Sequence, residues 1–355
     1  MIASVRPQPV SGGIAGPSRL PSLDGVRAIS IALVLLGHLS GTSGMYSVDL
    51  KIGDHARLGV LVFFVMSGFL ITNLLLIEHA NTGSVSLKHF YARRLLRIFP
   101  ASYTYLACIC ILALAGFIRL RDRDVWHAVT YTVNYLSQPS WQIGHLWSLS
   151  VEEQFYLAWP FAFVGLGPGR AMWLATAVIV LGPAARAVPW FFAGHTPYYG
   201  RTIFPMVADS LAVGCLLAGT RAWLEGQSWY LRLFSAPAAL LILAATLLIN
   251  RFTDQPAVAV IGTSGINIGI AILVHRSFYS PRGWTGRILN WRPLTFVGVL
   301  SYSLYLWQQL FLNQQSNAWV NAFPQNLLFA VTAALVSYFG LEKPFLRLRR
   351  RLRVG

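Results

Sequence analysis

The sequence predicts an all-α fold, a polytopic membrane bundle of about ten transmembrane helices with both termini in the cytoplasm. Of its 355 residues, 55% are hydrophobic and 11% are charged, whereas a soluble domain contains about 25% charged residues. The mean hydropathy is +0.55. Ten apolar runs each approach the roughly 20 residues that a helix needs to cross a bilayer. The loops between these runs differ strongly in their Lys and Arg content, which indicates an orientation.

The ten runs follow one another along almost the whole chain. They lie at residues 26–43, 58–78, 98–118, 147–167, 171–189, 202–220, 230–250, 257–276, 293–313 and 324–341. An apolar piece at residues 126–136 is too short to cross and is expected to be re-entrant or interfacial. Residues 1–20 are rich in Pro, Gly and Ser and are expected to form a disordered cytoplasmic tail. The membrane domain is predicted over residues 21–346, and a basic tail over 347–355.

The net charge of +16 follows from this arrangement. Twenty of the 28 Lys and Arg residues fall on the side that holds both termini, so the positive-inside rule places both termini in the cytoplasm. The C-terminal arginines are expected to contact anionic lipids. We therefore expect a membrane partner and no nucleic acid. The three cysteines lie in apolar runs, where packing is their usual role, and no disulfide or metal site is expected.

The stretch AISIALVLLGHL of the first apolar run contains one ionisable residue, His38, near its far end. It follows Leu23 by fifteen residues, so a helical rise of about 1.5 Å per residue puts it roughly 22 Å along the span. That position is in the outer part of the membrane. An ionisable side chain there is costly and indicates a functional site, although a histidine that bonds only to a neighbouring helix is the alternative.

The fourth run opens with HLWSLSVEEQFYLAWP at residues 145–160, which contains Glu152 and Glu153. Glu153 is expected about 10 Å below the start of that helix, at a depth similar to that of His38. A carboxylate there could orient the imidazole and raise its basicity. Adjacent residues on a helix face different ways, so at most one glutamate addresses His38. A charge that only complements the helix dipole is the alternative, and it suits Glu152 better.

Basic side chains mark the opposite, cytoplasmic end of the bundle. In YARRLLRIFP, Arg94 and Arg97 are spaced i, i+3 and share one helical face. Paired guanidinium groups suit phosphate oxygens, although such clusters are more often flanks that set topology. Asp24 and Arg27 have the same spacing and could form an ion pair, or Asp24 could cap the helix.

Six segments follow one another along the chain: LDGVRAISIALVLLGH, GVLVFFVMSGFLIT, YARRLLRIFP, HLWSLSVEEQFYLAWP, SYSLYLWQQ and EKPFLRL. Together they resemble the motifs of the acyltransferase 3 family of membrane acyltransferases, over about residues 20–348. The resemblance implies transfer of an acyl group, commonly acetyl, from cytoplasmic acyl-CoA to a hydroxyl of a carbohydrate, a glycolipid or another acceptor. A bacterial inner membrane is the expected location.

The resemblance also assigns residues. The family's first-span histidine corresponds to His38, and its acidic motif corresponds to Glu152 and Glu153. Its arginine pair corresponds to Arg94 and Arg97. We expect His38 and Glu153 to be catalytic and the arginines to hold the donor phosphates. Three further residues complete the expected site, with Arg27 as a donor-binding residue and Asp24 and Glu152 in support.

Two routes remain open for His38, which could act as general base on the acceptor hydroxyl or carry the acyl group transiently. Acyl-CoA is expected as a substrate, with no permanently bound cofactor. The sequence departs from the family at Gln308, where a histidine often follows the tryptophan of SYSLYLWQQ. With 355 residues, no room is expected for the hydrolase-like domain that some members append. The rival hypothesis is a transporter or flippase in which His38 and Glu153 form a proton relay.

Overall fold

The computed structural model describes residues 21–46, 50, 52–193, 202–255, 257–279 and 283–351. Within these ranges the secondary structure is helical and contains no strand. This confirms the all-α class. The tail predicted at residues 1–20 lies outside the described residues, and the basic segment predicted at 347–355 is helical as far as Arg351.

The long helices are α1 (Pro21–Leu39), α2 (His55–Thr82), α3 (Leu87–Leu114), α6 (Leu146–Ala193), α7 (Phe204–Glu225), α9 (Ala236–Arg251), α10 (Thr263–Tyr279), α12 (Arg292–Phe311) and α13 (Gln325–Ser337). Shorter helices are α4 (Asp124–Val129), α5 (Trp141–Gly144), α8 (Ser228–Arg232), α11 (Gly283–Leu289) and α14 (Lys343–Arg351). Single 3-10 turns cover Val133–Tyr135 and Trp319–Asn321, and π-helical turns at Val258–Gly262 and Tyr338–Glu342 lead into α10 and α14.

Seven helices of the described chain are long and apolar enough to cross a bilayer. This finding supports an integral membrane protein. The count of ten spans and the cytoplasmic location of the termini stay predictions. The short piece expected at residues 126–136 forms α4 and the first 3-10 turn, and neither is long enough to cross.

The difference between the seven helices found and the ten spans predicted has local causes. Two predicted runs, 147–167 and 171–189, lie in the single long element α6, which is broken only at Gly167 by a positive φ of 77°. Helix α9 has 16 residues and is about 24 Å long at 1.5 Å per residue, shorter than the hydrocarbon core. Helix α12 is long enough but buries four polar side chains: Ser301, Ser303, Gln308 and Gln309.

Close backbone contacts hold α1 between α2 and α12. A Cβ on Gly298 of α12 would lie 1.8 Å from the carbonyl oxygen of Asp24, and one on Gly59 of α2 would lie 2.4 Å from that of Ser30. Small residues that admit such contacts are typical of membrane helix interfaces. The largest apolar core runs along α1, α2, α3, α6 and α12, and a second core lies among α2, α7 and α10. Val34, one helical turn before His38, belongs to the first core.

Candidate active site

His38 lies in the last turn of α1, where it faces α12. Its Nδ1 is 2.9 Å from Oε1 of Gln308. The indole ring of Trp141 stands edge-on to the imidazole, with 6.1 Å between ring centroids. No described residue bonds to Nε2 of His38, so this nitrogen is available to a ligand.

His38 lines a cavity of about 1050 Å³, which we call the His38 cavity. Its wall consists of the end of α1, the start of α2, parts of residues 119–147, Thr202, the end of α12 and residues 313–315 beyond it. The lining includes His145, Trp141, Tyr305 and Gln309. A cavity of this volume is at the upper end of the range for small-molecule sites, and its amides, hydroxyls and indoles suit a hydroxyl-rich ligand.

A second histidine, His145, lies in the same cavity wall between two tyrosines. Its ring is 5.5 Å from those of Tyr105 and Tyr305, and its Nε2 is 3.1 Å from the carbonyl oxygen of Leu306. A carbonyl only accepts, so Nε2 carries the proton. Among the described residues, Nδ1 of His145 has no hydrogen-bond partner. The segment HLWSLSVEEQFYLAWP contains His145, but its pattern predicted no role for this residue.

The predicted basic residues meet near the other end of the bundle and form what we call the arginine cluster, namely Arg27, Arg94 and Arg97. The guanidinium of Arg94 lies 4.3 Å from the ring centroid of Tyr156, a cation–π distance. Arg97 lies within electrostatic range of Arg27 and Arg94. Arg27 makes the predicted ion pair with Asp24, at 3.0 Å from Nη1 to Oδ1.

The acidic motif lies beside the arginine cluster. Glu152 accepts hydrogen bonds from Ser67 at 2.9 Å and from the hydroxyl of Tyr156 at 3.1 Å. Glu153 is within electrostatic range of Arg94, and its Oε1 has no hydrogen-bond partner among the described residues. Both carboxylates therefore balance charge in the cluster, and only Glu152 is held by hydroxyl groups on both oxygens.

The predicted pair of His38 and Glu153 is not formed. Glu153 follows His145 by eight residues, which corresponds to about 12 Å of helical rise. Because His145 lies in the same cavity wall as His38, Glu153 is well below that cavity. The partner of His38 is an amide, Gln308, and the sequence offered no spacing that would pair residues 270 positions apart.

One further carboxylate, Glu342, was not predicted to belong to the site. It is buried, accepts hydrogen bonds from Ser303 and Ser337, and lies within electrostatic range of Arg97. The segment EKPFLRL contains this residue and supplied the only signal for it. Among the residues that the structure describes, no group of three His, Cys, Asp or Glu side chains could hold a metal.

Fold and site together define an integral membrane helix bundle with a histidine-lined cavity and a separate arginine cluster. The chain belongs to the acyltransferase 3 family, because the model of that family, described as an acyltransferase domain, matches residues 20–341. This confirms the resemblance that the six segments indicated.

The relatives of the chain are bacterial proteins named for O-acetyl transfer. YrhL of Bacillus subtilis, provisionally named a peptidoglycan O-acetyltransferase, is 31% identical over 323 residues, which are 81% of this chain and 48% of YrhL. The peptidoglycan O-acetyltransferase OatA of Listeria monocytogenes is 28% identical over 319 residues, 81% of this chain and 48% of OatA. A Staphylococcus aureus protein, provisionally named an O-acetyltransferase, is 28% identical, covering 92% of this chain and 57% of its own length.

The chain spans about half the length of the curated relatives that it matches. No solved structure matches the chain. The comparisons thus establish the family.

Proposed function

We propose that the protein is a membrane O-acetyltransferase that moves an acetyl group from cytoplasmic acetyl-CoA to a hydroxyl of a glycan beyond the membrane. The observation that carries this proposal is His38, whose Nε2 is unbonded at the wall of a cavity of about 1050 Å³. The relatives named for peptidoglycan O-acetylation support a cell-wall glycan as acceptor. Their bacterial origin supports a location in the plasma membrane.

The arginine cluster is the proposed site for the phosphates of acetyl-CoA. Guanidinium groups bind phosphate oxygens through paired hydrogen bonds, and Arg97 makes no hydrogen bond or ion pair with the described residues, so its donors are available. Eleven residues of α1 separate Arg27 from His38, which corresponds to about 16 Å. The extended pantetheine arm of CoA can span that distance and bring its thioester toward His38.

The proposed chemistry is proton transfer at His38. Nε2 takes the proton of the acceptor hydroxyl while its oxygen attacks the thioester carbonyl carbon. As the tetrahedral intermediate collapses, the carbon–sulfur bond breaks and the thiolate of CoA takes the proton from Nε2. The products are the O-acetyl ester and free CoA. In the second route, Nε2 attacks the thioester carbonyl carbon and the carbon–sulfur bond breaks to release the thiolate of CoA. The acceptor hydroxyl then takes the acetyl group from Nε2, and its proton goes to the thiolate.

The test is transfer of label from acetyl-CoA to peptidoglycan fragments by purified protein in lipid nanodiscs. We expect His38→Ala to lower kcat by about 10²–10⁴-fold, the usual contribution of general acid–base catalysis. His89→Ala, which removes an exposed histidine at the start of α3, is the matched control and should retain activity. Undiminished transfer by His38→Ala would remove His38 from the mechanism, and the absence of donor use by the unchanged protein would refute the proposed activity.

A further inference from the structure

Two amides behind His38 form a hydrogen-bonded chain that ends on a backbone carbonyl. Nε2 of Gln309 donates to the carbonyl oxygen of Trp141 at 2.9 Å. A carbonyl oxygen only accepts, so the amide nitrogen of Gln309 must face Trp141. The amide oxygen of Gln309 then faces Gln308, whose Nε2 donates to it at 3.1 Å.

This chain fixes the orientation of Gln308. Because its amide nitrogen is directed at Gln309, its Oε1 is directed at Nδ1 of His38, 2.9 Å away. An amide oxygen has no proton to donate. Nδ1 must therefore supply the hydrogen, and in the neutral imidazole the lone pair is then on Nε2.

The surroundings hold the chain in place. Gln308 is fully buried and Gln309 is 5% exposed, so reversing either amide would leave buried donors and acceptors unpaired, at about 1–3 kcal/mol each. The indole Nε1 of Trp141 donates back to the backbone carbonyl of Gln309 at 2.9 Å. These two reciprocal bonds tie α5 to α12 and set the position of the whole chain relative to His38.

We propose that Gln308 and Gln309 are positioning residues that hold His38 in the tautomer with its proton on Nδ1. This inference rests on the proposed role of His38 as the reacting base. In the opposite tautomer the proton is on Nε2, and this nitrogen could then not take the proton of the acceptor hydroxyl. The amides set the tautomer without adding a charge to the cavity, whereas a carboxylate in the same place would hold an imidazolium. In this role both amides act through His38.

The experiment combines nitrogen NMR with kinetics on the full chain in lipid bilayers. In protein labelled with ¹⁵N at histidine, the His38 signals are identified by their loss in His38→Ala. At a pH where imidazoles are neutral, we expect Nδ1 to carry the proton. Gln308→Met, which keeps the length of the side chain and removes the acceptor, should give a mixture of tautomers and lower kcat by about 10- to 100-fold, within the contribution of a general base. The KM for acetyl-CoA should not change.

Two more variants separate positioning from a loss of packing. Gln308→Glu keeps an acceptor oxygen toward Nδ1 and should retain the protonated Nδ1, but its carboxylate stabilises the imidazolium, so the pH at which Nε2 loses its proton in the NMR titration should rise. Gln309→Met removes the side-chain hydrogen bonds of Gln309 to Gln308 and Trp141, so it should give a mixture of tautomers although Gln309 makes no hydrogen bond with His38. Gln227→Met, outside the cavity, should change neither the tautomer nor kcat. A protonated Nδ1 that persists in Gln308→Met would overturn the proposal. Since the NMR reading needs no turnover, it remains decisive even if the protein proves to lack the proposed activity.

Discussion

At the scale of single residues, the carboxylate of Glu153 lies with the arginine cluster and about 12 Å of helical rise below His145. Glu153 should therefore affect the binding of acetyl-CoA and not the tautomer of His38. We predict that Glu153→Gln leaves the NMR tautomer of His38 unchanged. The KM for acetyl-CoA should fall by up to about fivefold, because a carboxylate near Arg94 competes with the phosphates by about 1 kcal/mol. A 100-fold loss of kcat at unchanged KM would show instead that Glu153 takes part in the chemistry.

Arg94 offers a sharper test of the donor site, since its neighbour Arg93 supplies a matched control. Arg94 faces Tyr156 in the core of the bundle, whereas Arg93 pairs with Glu78 at 3.3 Å near the surface. We predict that Arg94→Gln raises the KM for acetyl-CoA by about 10- to 100-fold, the effect of losing hydrogen bonds to a charged group. The KM for the acceptor should stay constant, and Arg93→Gln should resemble the unchanged protein.

A rise in both KM values, or an equal effect of Arg93→Gln, would contradict a phosphate site at Arg94. The comparison is measured with labelled acetyl-CoA at several acceptor concentrations. Because the two arginines are adjacent and have the same charge, a general change of surface potential would affect both variants alike.

The residues of the candidate site were predictable to different degrees. His38 stands out because it is the one ionisable group in the stretch AISIALVLLGHL, and the spacing of Arg94 and Arg97 places them on one face. The partner of His38 was not predictable, because helical rise gives the depth of a residue and not the neighbour that its side chain faces. Gln308 and His145 needed tertiary contacts to be found.

At the scale of helices, Gly298 sets the distance between α1 and α12. Its Cβ position lies 1.8 Å from the carbonyl oxygen of Asp24, so Gly298→Ala must push the two helices apart. We predict a loss of about 1–3 kcal/mol in stability, as for other overpacked sites, together with reduced transfer because His38 and Gln308 lie on these helices. Thermal unfolding in detergent, followed by size-exclusion chromatography, measures the first effect.

Gly165→Ala in α6 is the control, since nothing lies within 4 Å of its Cβ position. Alanine is also the better helix former, so this variant should be at least as stable as the unchanged protein. Equal stability of the two variants would show that the contact between α1 and α12 tolerates separation.

The helices themselves were largely predictable from hydropathy, and the exceptions have physical reasons. Each apolar run falls on a helix, because a backbone in lipid must satisfy its hydrogen bonds within the segment. The two spans predicted within α6 are separated only by the non-helical backbone of Gly167, with φ 77° and ψ 162°, and not by a longer loop. Helix α12 shows the limit of hydropathy, because its buried polar residues contact other helices and not lipid.

At the scale of the whole molecule, the distribution of Lys and Arg predicts that the His38 cavity opens away from the cytoplasm. We predict that a cysteine placed at Gln315, an exposed position at the cavity mouth, is labelled by an impermeant maleimide in intact cells. A cysteine at Gln227, between α7 and α8, should be labelled only after lysis. Both variants require prior replacement of the three native cysteines. Labelling in the reverse pattern would invert the orientation.

In the proposed reaction, the acetyl group crosses the membrane between the arginine cluster and the His38 cavity. Right-side-out membrane vesicles loaded with labelled acetyl-CoA and supplied with glycan outside test this crossing directly. We predict label on the external glycan, lost in His38→Ala and strongly reduced in Arg94→Gln at limiting donor. Transfer that occurs only when donor and glycan are on the same side of the membrane would contradict it.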